Sequence, residues 1–176
     1  LVAHAWAVVL GAMAVFAWWP GPLTYLLAVM IIGGRQLGLA ILMHDASHRA
    51  LFAHTRLNDW VGRFLCGAPI GAEMRVYRPY HLQHHRHTQG PEDPDLELSA
   101  PFPISRASLW RKLRRDLLGI TGFQRRRAQF RQQMGTGPIA GRLLRLWRAE
   151  RPFLITNGLL CAGLILAGYG WLYPTL

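Results

Sequence analysis

Cysteine is scarce in this chain of 176 residues. Cys66 and Cys161 are its two cysteines, far apart and without a CxxC spacing, which excludes a disulfide framework and a thiolate metal site. Acidic residues are few as well, 9 Asp+Glu against 20 Lys+Arg, and Lys112 is the single lysine among them. Charge overall is thin: 16% of residues are charged and 51% are hydrophobic. A soluble domain rarely combines such an apolar excess with a net charge of +11, unless the two are segregated along the chain. No HExxH occurs, so the zinc-protease pairing of two histidines with a glutamate base is excluded. No Glu-x-x-His pair occurs either, which excludes the ligand set of soluble di-iron bundles. The stretch from Leu1 to Trp19 lacks the charged n-region and small-x-small cleavage site of a signal peptide. Because it starts at leucine and enters apolar sequence at once, truncation at both ends is expected.

Apolar and basic residues are segregated here, in a membrane pattern. Residues 1–19 are apolar apart from His4 and are about long enough to cross a bilayer as a helix. They close on Trp18, Trp19, Pro20, Gly21 and Pro22, interface-loving aromatics followed by turn residues. A second apolar run from Leu23 is interrupted by Gly33, Gly34, Arg35 and Gln36. Arg35 lies roughly 18 Å past Leu23 along a helix, where it either snorkels or lines a substrate or proton path. Residues 58–72 are too short to span and carry Arg63, so an interfacial or re-entrant segment is expected. Residues 105–151 hold 13 Arg/Lys against Asp116 and Glu150. Pro152 to Tyr173 is apolar again and ends in Tyr169, Trp171 and Tyr173.

The positive-inside rule puts the arginine-rich stretch on the cytoplasmic side. The first span then runs outward, the second inward and the third outward. Trp18, Trp19 and Trp171 share the outer interface, and the histidine-rich region faces the cytoplasm. The expected architecture is an all-α, multi-span membrane protein with cytoplasmic histidine-box helices and a basic helical insert. It forms one partial domain over residues 1–176, with spans at about 1–19, 23–45 and 152–173 and cytoplasmic sequence over 46–151. These arginines flank spans and accompany no nucleic-acid motif, so nucleic acid is not an expected partner, and anionic lipid head groups are their ordinary contact.

Five of the eight histidines fall at ligand spacing. His44 and His48 stand at i and i+4, one turn apart on a helix face. His81, His84 and His85 stand at i, i+3 and i+4, while His87 continues the run but points elsewhere on a continuing helix. Packing gives no reason to gather imidazoles beside a bilayer, and protonated rings would repel. Metal binding does give one, since neutral imidazole suits iron, zinc and copper. His4 and His54, standing alone, read as solvated or hydrogen-bonded residues.

The run HDASH at 44–48, followed by YHLQHHRHTQGPEDPDLEL from Tyr80, resembles the integral-membrane fatty-acid desaturases and their hydroxylase relatives. The resemblance matches His44 and His48 to the first histidine box and His81, His84 and His85 to the second. It implies two irons per complete enzyme, dioxygen as oxidant, a lipid acyl substrate from the bilayer and an electron donor such as ferredoxin. It also implies multi-pass membrane localisation, here a bacterial inner membrane. Asp45, Asp93 and Asp95 are candidates to orient ligand imidazoles, with a solvated acidic loop as the alternative for the latter two. A third box of the family pattern does not follow Ala149, so an inactive front part of a longer enzyme is expected. Hydroxylation or ketolation of a lipid, alkane or carotenoid on the same scaffold is the neighbouring expectation. A non-catalytic zinc-binding membrane protein is the alternative from another class.

Overall fold

The computed structural model describes residues 1–99 and 101–176. Among the described residues all regular structure is helical, and the chain forms two compact units. One comprises Leu1–Pro79 with Glu150–Leu176, the other Tyr80–Ala149.

In the first unit, α1 (Val2–Trp18) and α2 (Pro22–Ser47) form a hairpin. Pro22 begins α2, where its missing N–H costs nothing, and the Thr24 hydroxyl closes the turn onto the Gly21 carbonyl at 3.0 Å. On α1 the buried residues are Ala5, Val9, Ala12, Met13 and Phe16, a helical stripe along one face. Ala5 packs with Leu42, Met43 and Ala46, whereas Phe16 packs with Ala28 and Ile32, so the two helices run antiparallel. Their other faces are apolar too: Met30 is 64% and Leu37 65% exposed. Arg35 is half-buried on α2.

The interfacial segment expected at residues 58–72 is helical but irregular. A short helix, α3 (Thr55–Val61), is capped by the His54 ring, which accepts from the Leu57 N–H at 3.3 Å. A π-helical turn (Gly62–Gly67) and a 3-10 turn (Ala68–Ile70) follow. A Cβ on Gly62 would lie 2.3 Å from the Ala46 Cβ, and one on Gly67 would lie 2.8 Å from the Met43 Sδ; only glycine lets this segment approach α2 so closely. Irregular helices leave carbonyls without intrahelical partners, and neighbouring side chains take them. The Trp6 indole donates to Leu65 O at 2.9 Å, the Thr156 hydroxyl to Phe64 O at 2.9 Å and the Asn157 amide to Ala68 O at 3.3 Å. Arg63, the charge that argued against a span, is buried and paired bidentately with buried Glu73, the N–O distances being 2.9 and 3.0 Å.

The second unit contains the histidine-bearing end of α4 (Met74–His87), the short α5 (Leu96–Ser99), and the basic helices α6 (Arg106–Leu117) and α7 (Ile120–Met134). Ser105 caps α6 by accepting from the Ser108 N–H. Gly119, at φ 71°, makes the turn into α7. Neither α6 nor α7 buries a residue.

The last long helix overlaps the third apolar run with different ends. It is α8 (Ile139–Leu166), starting within the basic stretch and stopping short of the aromatic cluster. Gly168, at φ 83°, ends it: Tyr169 N–H bonds to Leu164 O and Gly168 N–H to Ile165 O, the paired bonds of a Schellman cap. The chain then turns into α9 (Leu172–Thr175). Trp171 meets Phe16 at 5.6 Å between ring centroids, so this aromatic from the end of the third apolar run packs near the α1–α2 turn. Both α2 and α8 are long and apolar enough to cross a membrane, and α1 is a shorter apolar helix.

Breaking a buried ion pair strands a charge, whereas replacing both partners does not. Glu73→Ala should therefore cost about 3–5 kcal/mol of stability. An Arg63→Met, Glu73→Leu double variant should recover most of it, as read by thermal unfolding in detergent.

Candidate metal centre

The last turn of α2 carries the first pair of histidines. His44 is half-buried and His48 exposed, with their rings 4.8 Å apart. His44 Nδ1 lies 3.1 Å from Asp45 Oδ1. The backbone under this pair is pinned. The Ser47 hydroxyl donates to His44 O at 2.6 Å, and the buried Asn58 amide donates to Ala46 O at 2.8 Å. Asn58 Oδ1 accepts from the Leu51 N–H at 3.1 Å and the Phe52 N–H at 3.3 Å. Arg78, on α4, donates to Ser47 O and Ala46 O, both at 2.9 Å. It also pairs with Asp59 and, by that hydrogen bond, holds the Asp59 carboxyl below the usual range.

The second group lies on α4. His81 is buried and His85 exposed, and their Nε2 atoms face each other at 3.0 Å. The His84 ring lies 6.1 Å from that of His81 and 5.6 Å from that of His85, with its Nδ1 side toward an acidic loop. Its Nδ1 lies 2.7 Å from Asp93 Oδ1 and 3.7 Å from Asp95 Oδ2. Asp93 is buried and committed on both oxygens: Oδ1 also accepts from the Asp95 N–H, and Oδ2 accepts from the Gln89 N–H, each at 2.8 Å. That makes Asp93 a staple orienting the ring rather than an open donor. Asp95 accepts from the Tyr80 hydroxyl. His87 faces Glu92 at 3.2 Å, and His54 is the helix cap already described.

Burial pushes the Asp93 carboxyl up, but the His84 ring and the two backbone N–H groups outweigh it and bring it down to about 2. The same hydrogen bond raises the His84 ring above its ordinary 6.5. Carboxylates at Nδ1 of His44 and His84 favour the tautomers that leave Nε2 as an acceptor. Imidazoles that present Nε2 in this way are the donor set that suits a borderline metal such as iron, so the residues fit a histidine-ligated centre.

The fatty acid desaturase family pattern matches residues 16–176. This chain belongs to that family. Among curated desaturase-type proteins, a dihydrorhizobitoxine desaturase of Bradyrhizobium elkanii is 39% identical over 83 residues, 46% of this chain and 22% of that protein. A β-carotene 4-ketolase of Protosiphon botryoides is 30% identical over 105 residues, 54% of this chain and 26% of its own length. A sphingolipid Δ4-desaturase-like protein of Oryza sativa subsp. japonica is 36% identical over 61 residues, 34% of this chain and 18% of that protein. The matched stretches thus span about a quarter or less of these relatives. No solved structure gives a significant match.

Asn58, Asp59 and Arg78, which brace the first histidine pair or its supports, and Glu73, the partner of Arg63, were not singled out from sequence. One signal was available for Glu73: a charge such as Arg63 inside an apolar run needs an opposite charge within reach, and Glu73 is the next acid along the chain. The unit around Arg63 also carries an open apolar groove of about 920 Å³ lined by Trp6, Phe52, Trp60, Phe64, Leu65 and Leu159, among others.

Asp93 has a carboxyl lowered from 3.8 to about 2, so its contribution to the loop is complete above pH 3.8 and is lost as pH falls toward 2. His84 is raised, so its contribution is complete below pH 6.5 and is lost as pH rises through the raised value. In the metal-free chain, protection of the Gln89 and Asp95 amides from hydrogen exchange, relative to an unstructured amide at the same pH, should fall on acidification through that lower window. Asp93→Asn should abolish this acid transition.

Proposed function

We propose that this chain supplies the first two histidine boxes of a dioxygen-dependent, membrane-embedded fatty-acyl desaturase. The observation that carries the reading is the pairing of histidines on α2 and α4, with carboxylates at Nδ1 of His44 and His84, in a chain of the fatty acid desaturase family. In this reading α1, α2 and α8 cross a bacterial inner membrane. Their outward apolar faces, costly in water, then meet lipid. The basic helices lie on the cytoplasmic side.

His44, His48, His81, His84 and His85 would hold iron, with Asp45 and Asp93 fixing the orientation of His44 and His84. When bound, a reduced iron pair supplies the dioxygen-derived oxidizing power that acid–base chemistry lacks toward an unactivated methylene. The chain's own residues do the rest. Asp45 and Asp93 keep the Nε2 lone pairs of His44 and His84 available. The groove lined by Trp6, Phe52, Trp60 and Phe64 offers an acyl chain a water-free wall. Electrons come from a small acidic carrier such as a ferredoxin. Its docking surface would be the exposed arginines of α6 and α7, where no carboxylate other than Asp116, which is engaged by Lys112, lies within either helix. Per double bond formed, the substrate loses two hydrogens, and dioxygen with two electrons and two protons leaves as two waters.

A second reading, insertion of oxygen to make a ketone, draws on the β-carotene 4-ketolase likeness, which covers the largest share of this chain among the relatives named above. Product mass separates the two, since desaturation adds no oxygen.

The test uses the protein expressed from its full reading frame. His44→Ala and His85→Ala should each abolish iron loading and turnover while still inserting into the membrane. His54→Ala should lose only a helix cap, about 1 kcal/mol, and keep both properties. Iron loading and wild-type turnover in His85→Ala would refute the ligand assignment, and full zinc occupancy without iron would favour a structural site. Replacing Arg125, Arg126 and Arg127 by Gln should raise the KM for the donor protein and weaken its salt dependence; unchanged donor kinetics would remove that surface from the proposal.

A further inference from the structure

A helix that ends without glycine must find other partners for its last carbonyls. At the end of α2 the left-handed position after His48 is Arg49, at φ 60°, a conformation that costs a non-glycine residue about 1–2 kcal/mol. The carbonyls of this turn belong to Ala46 and Ser47, between His44 and His48 in sequence, and both residues are buried. Two side chains reach them: Asn58 donates to Ala46 O, while Arg78 donates through Nε to Ser47 O and through Nη2 to Ala46 O. The far edge of the same guanidinium engages Asp59, with Nη1 3.1 Å from Oδ2 and Nη2 2.5 Å from Oδ1. One planar cation therefore bridges the α2 terminus and α3, and its direction is fixed from two sides. Arg78 itself sits on α4, one helical turn before His81.

We propose that Arg78 is a positioning residue for the metal centre, holding the backbone of the first histidine pair from the helix that carries the second. The inference rests on the reading of these histidines as ligands. Its chemistry is specific to arginine. The carbonyls lie on one edge of the guanidinium and the carboxylate on another, a fork that an ammonium cannot reproduce. A cation at this site also complements the negative end of the α2 dipole. Any displacement of the Ala46–Ser47 peptide would move His44 and His48 with it, because Ser47 is also tied to His44 O.

The experiment is a cobalt(II) titration of the metal-free protein, expressed from its full reading frame and purified in detergent, read by visible absorption. Melting temperature is recorded alongside. Arg78→Gln should weaken cobalt affinity about 10- to 100-fold, the usual loss when a support of metal ligands is removed, and alter the ligand-field bands. Arg78→Lys should restore the charge but little of the affinity. Thr156→Val, which removes the remote hydroxyl bond to Phe64 O, is the stability control and should bind cobalt as the wild type does. Should Arg78→Gln fail to fold, Asp59→Asn leaves the arginine in place but unanchored, and a several-fold loss of affinity is expected from it. Wild-type affinity and bands in folded Arg78→Gln or Asp59→Asn, or losses no larger than that of Thr156→Val, would overturn the proposal. A wild-type protein that binds no cobalt would instead overturn the ligand reading itself, and this inference with it.

Discussion

Backbone carbonyls that a helix cannot satisfy internally set most of the architecture of the first unit. They occur where α2 ends at the first histidine pair and where the chain runs through a π turn at residues 62–67. In apolar surroundings each unmet group costs on the order of a few kcal/mol, and several polar side chains approach these segments to meet one. Asn58 and Arg78 serve the end of α2, while Trp6, Thr156 and Asn157 serve the π turn and its 3-10 extension. The tie from Thr156 to Phe64 links residues 92 apart in sequence, which anchors α8 to the π turn.

The same constraint explains why charge is tolerated at the centre of an apolar unit. Arg63 and Glu73 neutralise each other, and the Glu73 carboxylate additionally accepts from the Arg75 N–H at the start of α4. Arg78 and Asp59 form a second ion pair, with Asp59 more exposed than either member of the first. Both pairs have one partner in the 55–67 segment and the other at the start of α4. An irregular segment that glycine allows against α2 thereby becomes the platform from which α4 departs.

In the second unit, carboxylates do comparable work on side chains instead of carbonyls. Asp93 uses both oxygens to gather the His84 ring and two backbone N–H groups, so the acidic run after the second box is an ordered turn that aims an imidazole. The basic helices α6 and α7 bury nothing. Their arginines are accordingly exposed, apart from the half-buried Arg126.

Much of this protein was legible in its sequence. Histidine spacing at 44, 48, 81, 84 and 85, apolar runs of helical length and an acid-poor arginine stretch depend only on local periodicity and composition, which survive in any fold that forms these helices. Those features were enough for the helical class and for the family. Tertiary structure alone decided which residues support the histidines. Arg78 is 31 residues from Ser47, and Asn157 is 89 from Ala68; no periodicity relates partners so far apart. It also decided that His84, beside His81 and His85, turns its Nδ1 to Asp93, because a helix fixes where a side chain emerges, whereas the loop folded against it decides what the side chain meets.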